Sequence, residues 1–343
     1  MKKRIMGVII LIGVILMAGG AGSLYYIAFK ENIKRSDQRT YINIPGGSDY
    51  QDVYEILKKE KILINPKTFD WLAHKKNYHH LVNPGHYEIR PDMNNNQLIN
   101  MLRAGEQEPV HVVFHNIRTK GELAQVVSRQ IEMDSASLVA LLNDKPYLSQ
   151  LGFNENTILA MFIPNTYEFF WNTDAKGFME RMHREYNHFW NQGRQAKLEN
   201  LSLNKKEVST LASIVDEETR IKDEMPTIAG VYINRLNRGI PLQADPTIKY
   251  ALEDFTIRRV LKKHLEIESP YNTYKNRGLP PGPIVVPSIA AIDAVLNHEE
   301  HKYLYFCAKD DFSGSHVFAK TLRQHLQNAR KYQRALSENN IYK

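Results

Sequence analysis

A glutamate on the apolar face of a predicted helix is the side chain in this sequence best suited to acid–base chemistry. Val208, Leu211 and Val215 recur at helical spacing, and Glu218 lies three residues beyond Val215 on the same stripe. Burial disfavours the ionised form of such a carboxyl group, so its pKa is raised and it can protonate a leaving group near neutral pH. The pattern alone leaves open a helix-end acid that reaches water or pairs with a cation.

Two other acids immediately precede this glutamate, and their positions on the helix differ from its position. At about 100° per residue, Glu217 is predicted to point away from the apolar stripe and Asp216 to lie to one side of it. The helical face therefore selects Glu218 among three adjacent carboxyl groups.

The sequence after this helix continues with further helix and loop signals. Residues Asp223 to Pro226 predict a helix start, with acids in the first turn and proline at the first helical position. In this helix and in the sequence after it, the chain resembles the YceG-like family of endolytic murein transglycosylases, the MltG proteins. The matching stretches occur in family order: Leu211–Thr219, Gly230–Leu236, Leu242–Tyr250, Pro270–Tyr274 and Gly278–Pro283.

The resemblance implies a lyase that cuts peptidoglycan glycan strands internally, at the β-1,4 bond between N-acetylmuramic acid and N-acetylglucosamine. The products would carry 1,6-anhydromuramic acid ends, and the reaction would need no cofactor or metal. The family's catalytic glutamate falls on Glu218, the residue that the helical face also selects. The first acid of the family motif falls on Asp216, where this chain has aspartate in place of glutamate, so we expect a supporting role there.

Several polar and aromatic side chains in the matching stretches are candidates for binding the sugars. Amide groups both donate and accept hydrogen bonds, and tyrosines combine an apolar wall with a polar end. For Asp245, capping of the next helix is an alternative role. His316 and His325 could approach the site, although structural roles are the commoner ones for histidine. The predicted substrate-binding residues are Asn234, Gln243, Asp245, Thr247, Tyr271, Asn272 and Tyr274.

The charge and cysteine content exclude several other classes of protein. The net charge is +7, but basic and acidic residues are interleaved and no nucleic-acid-binding motif occurs, so nucleic acid is not an expected partner. The chain has one cysteine, which excludes an intrachain disulfide and a multi-cysteine metal site.

An uncharged apolar run from Ile5 to Phe29 is long enough to cross a bilayer as a helix. The basic residues before it predict a cytoplasmic tail (1–4), a transmembrane helix (5–29) and a linker (30–39) leading to an extracytoplasmic catalytic part at the cell membrane. A cleaved signal peptide ending near Ser23 is the alternative.

The remaining chain predicts an α+β fold in two parts. Residues 40–109 read as strand, two helices, strand and helix, with Ser48 as the first cap, and this order resembles a LysM-like glycan-binding module. Residues 110–343 would form a helix-rich YceG-like transglycosylase domain, with its catalytic core at about 205–343 and a small antiparallel hairpin.

Three functions remain open at this point. The first is a membrane-anchored endolytic transglycosylase that terminates nascent strands beside peptidoglycan synthases, as the resemblance implies. The second is a hydrolytic muramidase that pairs Glu218 with Asp216 or Asp245. The third is a non-catalytic wall-binding or division scaffold, in which Glu218 would be dispensable.

Overall fold

Helices and short antiparallel strand pairs make up the computed structural model, which describes residues 2–34 and 38–339. The prediction of a helix-rich α+β fold is confirmed. Met1 of the predicted tail, residues 35–37 of the predicted linker and the last four residues of the predicted catalytic domain lie outside the described residues. The chain divides into two units, the first comprising Met1–Val112, Arg129–Met133 and Tyr167–Asp174, and the second comprising the remainder.

The first unit is built around one antiparallel strand pair covered by helices. Strand Thr40–Ile44 pairs with strand Gly85–Ile89, with Ile42 opposite Tyr87, and their inward side chains join those of the helices in one apolar core. Its elements are α1 (Lys2–Phe29), β1 (Thr40–Ile44), α2 (Tyr50–Lys59), α3 (Pro66–Lys75), β2 (Gly85–Ile89), α4 (Asn95–Ala104), β3 (Val110–Val113) and β4 (Thr166–Phe169). The expected order of strand, two helices, strand and helix is present.

Side-chain caps fix where these helices begin. Asp49, not Ser48, caps α2, because its carboxylate accepts from the Asp52 N–H while the Asp52 carboxylate accepts from the Asp49 N–H. The predicted cap was therefore wrong by one residue. An equivalent pair of bonds joins Asn94 and Gln97 at the start of α4.

The first helix, α1, is long and apolar enough over Arg4–Phe29 to cross a membrane, and its apolar side chains are exposed. The chain after it was expected to be a linker, but its described part is packed against the unit. Ile33 is buried, and Asn32 donates to the Asn95 Oδ1 atom at 2.7 Å. The amide of Asn95 donates in turn to the Ile27 carbonyl oxygen, within α1. The end of α1 is therefore held by buried hydrogen bonds.

The second unit contains most of the helices. They are α5 (Lys120–Ser128), α6 (Ser135–Asn143), α7 (Lys145–Gln150), α8 (Ala175–Phe189), α9 (Gln192–Glu199), α10 (Lys205–Glu218), α11 (Met225–Asn237), α12 (Asp245–Ala251), α13 (Ile289–Leu296) and α14 (Leu322–Glu338). The hairpin predicted near the carboxy terminus is β5 (Tyr305–Ala308) paired with β6 (His316–Ala319).

Helix α10 lies at the centre of this unit and carries the predicted catalytic glutamate at its end. Asn204 and Glu207 form a reciprocal cap at its start, and every residue from Val208 to Asp216 is buried. Helix α11 packs beside it. Gly230 of α11 permits a close approach of the segment after α13, because a Cβ atom there would lie 2.4 Å from the Glu299 carbonyl oxygen. This packing brings the side chains of two helices to the end of α10.

Candidate active site

Glu218 is the last residue of α10, and the extended backbone of Thr219 ends the helix directly after it. Its carboxyl group is half-buried, and the Tyr232 hydroxyl donates to its Oε1 atom at 2.7 Å. Burial raises the pKa of Glu218 to about 7, against a smaller lowering by the Tyr232 hydrogen bond. Glu218 can therefore exchange a proton near neutral pH.

The three adjacent acids occupy three different environments. Asp216 is buried and accepts from both the Ser288 N–H at 2.8 Å and the Ser288 hydroxyl at 2.9 Å, which joins α10 to the start of α13. Glu217 accepts from the Arg118 guanidinium at 3.0 Å. Of these three acids, Glu218 lines the cavity formed at the end of α10, and Asp216 and Glu217 do not line that cavity.

The cavity beside Glu218 has a volume of about 470 Å³ and is open to solvent. Elements of the second unit form all of its walls: the ends of α10 and α11, the loop before α12, the β5–β6 hairpin and the start of α14. Its lining residues are Glu218, Tyr232, Arg235, Leu242, Gln243, Asp245, Tyr274, Tyr305, Phe306, Cys307, Ala308, His316, Leu322 and His325.

Gln243 projects into this cavity from a strained loop. Its backbone φ is +50°, a left-handed conformation that is uncommon for residues other than glycine. Two hydrogen bonds hold the loop in place: the Gln243 N–H donates to the Thr273 carbonyl oxygen, and the Ala244 N–H donates to the Thr273 hydroxyl, both at 3.0 Å. The exposed Gln243 amide is thus presented to the cavity by a constrained backbone.

Arg235 is a buried cation in the cavity wall. Its guanidinium donates to the Leu304 and Leu242 carbonyl oxygens, each at 2.7 Å, and lies 5.1 Å from the centre of the Tyr305 ring. In the part of the chain that the structure describes, no carboxylate pairs with it. The cation lowers the pKa of Glu218 slightly and, after the larger effect of burial, also lowers the pKa of His325.

Asp245 is a second carboxylate in the same cavity. Its Oδ1 atom accepts from the Tyr274 hydroxyl at 2.5 Å, and no side chain caps α12, where Ala244 occupies the capping position. The alternative role as a helix cap is therefore not seen. Its negative charge contributes to the raised pKa of Glu218.

The remaining predicted binding residues do not line the cavity. Asn234 donates to the His301 and Tyr303 carbonyl oxygens, and the fully buried Asn272 donates to those of Leu265 and Ile267.

Thr247 and Tyr271 also lie outside the lining of the cavity beside Glu218. The buried Thr247 hydroxyl contacts that of Thr273 at 2.9 Å, and the Tyr271 ring packs against Tyr250 with 4.7 Å between their centres. These four predicted residues shape the loops, while Gln243, Asp245 and Tyr274 lie in the cavity with Glu218.

The sequence profile of the YceG-like family matches residues 42–331. The chain belongs to the YceG-like family. A relative named endolytic murein transglycosylase, from Bacillus subtilis (strain 168), is 32% identical over 92% of this chain and 91% of the relative. A pneumococcal protein of the same name, from Streptococcus pneumoniae serotype 2 (strain D39), is 27% identical over 93% of this chain, which spans 63% of that longer relative.

A solved structure shares the fold of this YceG-like chain. The crystal structure of a YceG-like protein from Listeria monocytogenes matches with a TM-score of 0.57 and 27% sequence identity, covering 85% of this chain and 99% of the other.

Several cavity residues of this YceG-like chain carried no clear signal in the sequence. Tyr232 and Arg235 lie one turn apart on α11, where tyrosine reads as a core residue and arginine as a surface residue. His316 is bound by Glu224, whose carboxylate accepts from both its backbone N–H at 2.8 Å and its ring Nδ1 atom at 2.9 Å. Within residues 2–34 and 38–339, no cluster of His, Cys, Asp or Glu could hold a metal ion.

Proposed function

We propose that this chain is an endolytic murein transglycosylase that cleaves glycan strands of peptidoglycan with Glu218 as its catalytic acid and base. The observation that carries the proposal is a half-buried carboxyl group with a pKa of about 7 in an open cavity. The names of the Bacillus subtilis and Streptococcus pneumoniae relatives support the same activity.

The proposed reaction cleaves the β-1,4 bond between N-acetylmuramic acid and N-acetylglucosamine without consuming water. Protonated Glu218 donates its proton to the glycosidic oxygen as that bond breaks, and positive charge develops at the anomeric carbon. The carboxylate then removes the proton from the 6-hydroxyl of the muramic acid, whose oxygen bonds to the anomeric carbon. The products are a free 4-hydroxyl end and a 1,6-anhydromuramic acid end, and Glu218 regains its proton.

The surroundings of Glu218 contain groups that stabilise its neutral form and groups that stabilise its ionised form. Burial and the charge of Asp245 favour the neutral acid that the first step needs. The Tyr232 hydroxyl and the Arg235 cation favour the carboxylate that the second step needs. The Tyr232 hydrogen bond also fixes the orientation of the carboxyl group at Oε1, which leaves Oε2 for the substrate.

Gln243, Asp245 and Tyr274 are the proposed sugar-binding residues, because their polar ends lie in the cavity. Asn234, Thr247, Tyr271 and Asn272 would act indirectly, by holding the loops that carry those residues.

Hydrolysis is the second candidate activity, because Asp245 is a second carboxylate in the cavity and could activate water. Asp216 is an unsuitable partner, since both of its oxygens accept hydrogen bonds from Ser288. The Tyr274 hydroxyl on Asp245 favours a binding role over a base.

Mass spectrometry of the products from purified glycan strands tests the proposal. Transglycosylation gives anhydro ends, whereas hydrolysis gives reducing ends that are 18 mass units heavier, the mass of one water. Reducing ends throughout would establish a muramidase. A folded chain that binds strands and cleaves neither way would be a scaffold.

The first unit supports two further parts of the proposal, a retained membrane anchor and a LysM-like glycan-binding module. Helix α1 has the length and composition of a membrane span, and β1, α2, α3 and β2 follow the LysM-like order. The anchor would place the site outside the cytoplasm, where the enzyme would release nascent strands beside their synthases. A mature amino terminus near Ser23 would replace the anchor with a signal peptide.

Deletion of residues 41–107 tests the module, using a variant first shown to be folded by circular dichroism. A glycan-binding module would set the distance of the cut from the strand end, so its loss should broaden the lengths of the anhydro-ended products. An unchanged length distribution and unchanged affinity for long strands would make the module a spacer.

A further inference from the structure

A basic loop, residues 255–267, lies on the surface of the second unit between α12 and the loop that carries Tyr274. Arg258, Arg259, Lys262 and Lys263 lie within six residues of one another, and all four are exposed. In the described ranges 2–34 and 38–339, no carboxylate pairs with any of them. Four like charges at this spacing repel one another, so an unpaired group of this kind suits an anionic partner.

Both ends of this loop contact residues that are close in sequence to those of the candidate active site. At its start, Phe255 lies 5.0 Å from the guanidinium of Arg118, which is bonded to Glu217, the residue before Glu218. At its end, the side chain of Asn272 donates to the Leu265 and Ile267 carbonyl oxygens and accepts from the Tyr274 N–H. The basic loop is therefore anchored beside the segments that carry Glu218 and Tyr274.

We infer that this loop binds the carboxylate groups of the peptide stems on the glycan strand being cut. The inference rests on the proposed function, because it assigns the anionic partner to the substrate itself. A strand seated at Glu218 carries its stems outward from the cavity, where exposed cations can pair with them. Arginine and lysine both suit this role, because the arginine guanidinium matches a carboxylate with a planar fork of donors and the lysine ammonium is a point charge on a flexible side chain. The enzyme would then prefer strands whose stems keep free carboxylates.

The test compares two forms of the same uncross-linked strands, one with free stem carboxyl groups and one with these groups converted to amides. The full chain in detergent should cleave the free-carboxyl strands with a kcat/KM about 10-fold higher, since four exposed pairs of modest strength combine. This preference should fall as salt is added. The variant carrying Arg258→Gln, Arg259→Gln, Lys262→Gln and Lys263→Gln should cleave both forms at the rate of the amidated strands.

A matched control removes the same charge elsewhere in the second unit. The control residues are on other elements: Lys176, Arg184 and Lys197 on α8 and α9, and Lys205 at the start of α10. Their replacement by glutamine should leave the preference intact.

Three outcomes would overturn the inference while the proposed activity stands. First, the loop variant could keep the preference for free-carboxyl strands. Second, its kcat/KM could fall equally on both strand forms. Third, its loss of activity could appear only in vesicles that contain anionic lipid. The last would assign the loop, with its exposed Leu261, to the membrane surface. Failure of the unsubstituted chain to form anhydro ends from either strand would instead contradict the proposed function.

Discussion

Two cavities lie at opposite ends of α10, and their difference shows what makes one of them a candidate active site. The cavity at the start of the helix is the larger, at about 640 Å³, and is lined by Asn204, Lys206 and Thr210 among others. The cavity at its end is about 470 Å³ and contains Glu218. Volume alone would select the cavity at the start of the helix.

The difference lies in the role and surroundings of the acid in each cavity. At the start of α10, Glu207 accepts from the Asn204 N–H at 2.7 Å and completes a helix cap, so its carboxylate is already used. At the end, the Glu218 carboxyl group also accepts one hydrogen bond, from the Tyr232 hydroxyl, but burial raises its pKa to about 7. A desolvated carboxyl group of this kind can exchange a proton near neutral pH, whereas a capping carboxylate stabilises the helix.

The largest expected effect compares Glu218→Gln with Glu207→Gln. The first change should lower kcat by about 10³-fold or more, because glutamine keeps the shape and cannot supply the proton. The second should leave kcat within about threefold and change the free energy of unfolding little, because glutamine here can still accept from the Asn204 N–H, as Gln97 accepts from the Asn94 N–H at the start of α4. Anhydro-ended products measure kcat, and urea unfolding measures stability. Equal loss of activity from both variants would show that the two cavities do not differ in this way.

The second prediction concerns stability against pH. The pKa of Glu218 is about 7 in the folded state and near its ordinary value of 4.5 when unfolded, so the folded state binds the proton more tightly. The ionised group therefore costs stability above pH 7, and this cost disappears below about pH 4.5. Glu218→Gln should raise the free energy of unfolding by on the order of 2 kcal/mol at pH 8 and by little at pH 4.5.

Thermal unfolding of both proteins across this pH range checks the expectation, and Glu207→Gln serves as the control. A constant difference between Glu218→Gln and the unsubstituted chain at every pH would contradict a raised pKa.

A smaller effect is expected from Tyr232→Phe, which removes the hydroxyl bonded to Glu218. Because that hydrogen bond lowers the pKa of Glu218, its loss should move the basic limb of the pH–kcat profile to higher pH. Loss of the fixed orientation should lower kcat by about 10-fold. The matched change in the other cavity is Thr210→Val, which should leave the profile unmoved. If the basic limb of the pH–kcat profile stayed in place in Tyr232→Phe, this tyrosine would have no part in setting the pKa of the group that transfers the proton.

The smallest effect should come from Glu217→Gln. The carboxylate of Glu217 pairs with Arg118 outside the cavity, and a partly exposed pair contributes little. We expect kcat within about threefold of the unsubstituted chain in the same product assay. A loss as large as that of Glu218→Gln would contradict the choice between adjacent acids made from the helical face.

Local periodicity explains why the position of Glu218 could be predicted. Val208, Leu211 and Val215 define a helical face within one segment, and the glutamate follows on that face. Tyr232 could not be placed in this way, because its contact with Glu218 depends on how α11 packs against α10.

Side-chain chemistry was a weaker guide to sugar binding. Asn234 and Asn272 have the amide groups that a sugar requires, yet those amides bind backbone carbonyl oxygens in the fold. Such carbonyls lie in loops whose path the sequence does not specify. Gln243 lies in the cavity because a left-handed backbone and the Thr273 bonds hold it there.

The buried hydrogen bonds at the end of α1 have a mechanical consequence. Asn32 and Asn95 join the last turn of α1 to the body of the first unit, so the two have little freedom to swing against each other. A flexible linker of ten residues would have a root-mean-square end-to-end distance of roughly 15–20 Å, so a domain at its end could move over that distance from the anchor. With α1 in a bilayer, this joint would instead hold the first unit at a set height and angle above the lipid surface. If the first unit binds glycan as proposed, this joint would restrict it to strands at that distance from the membrane.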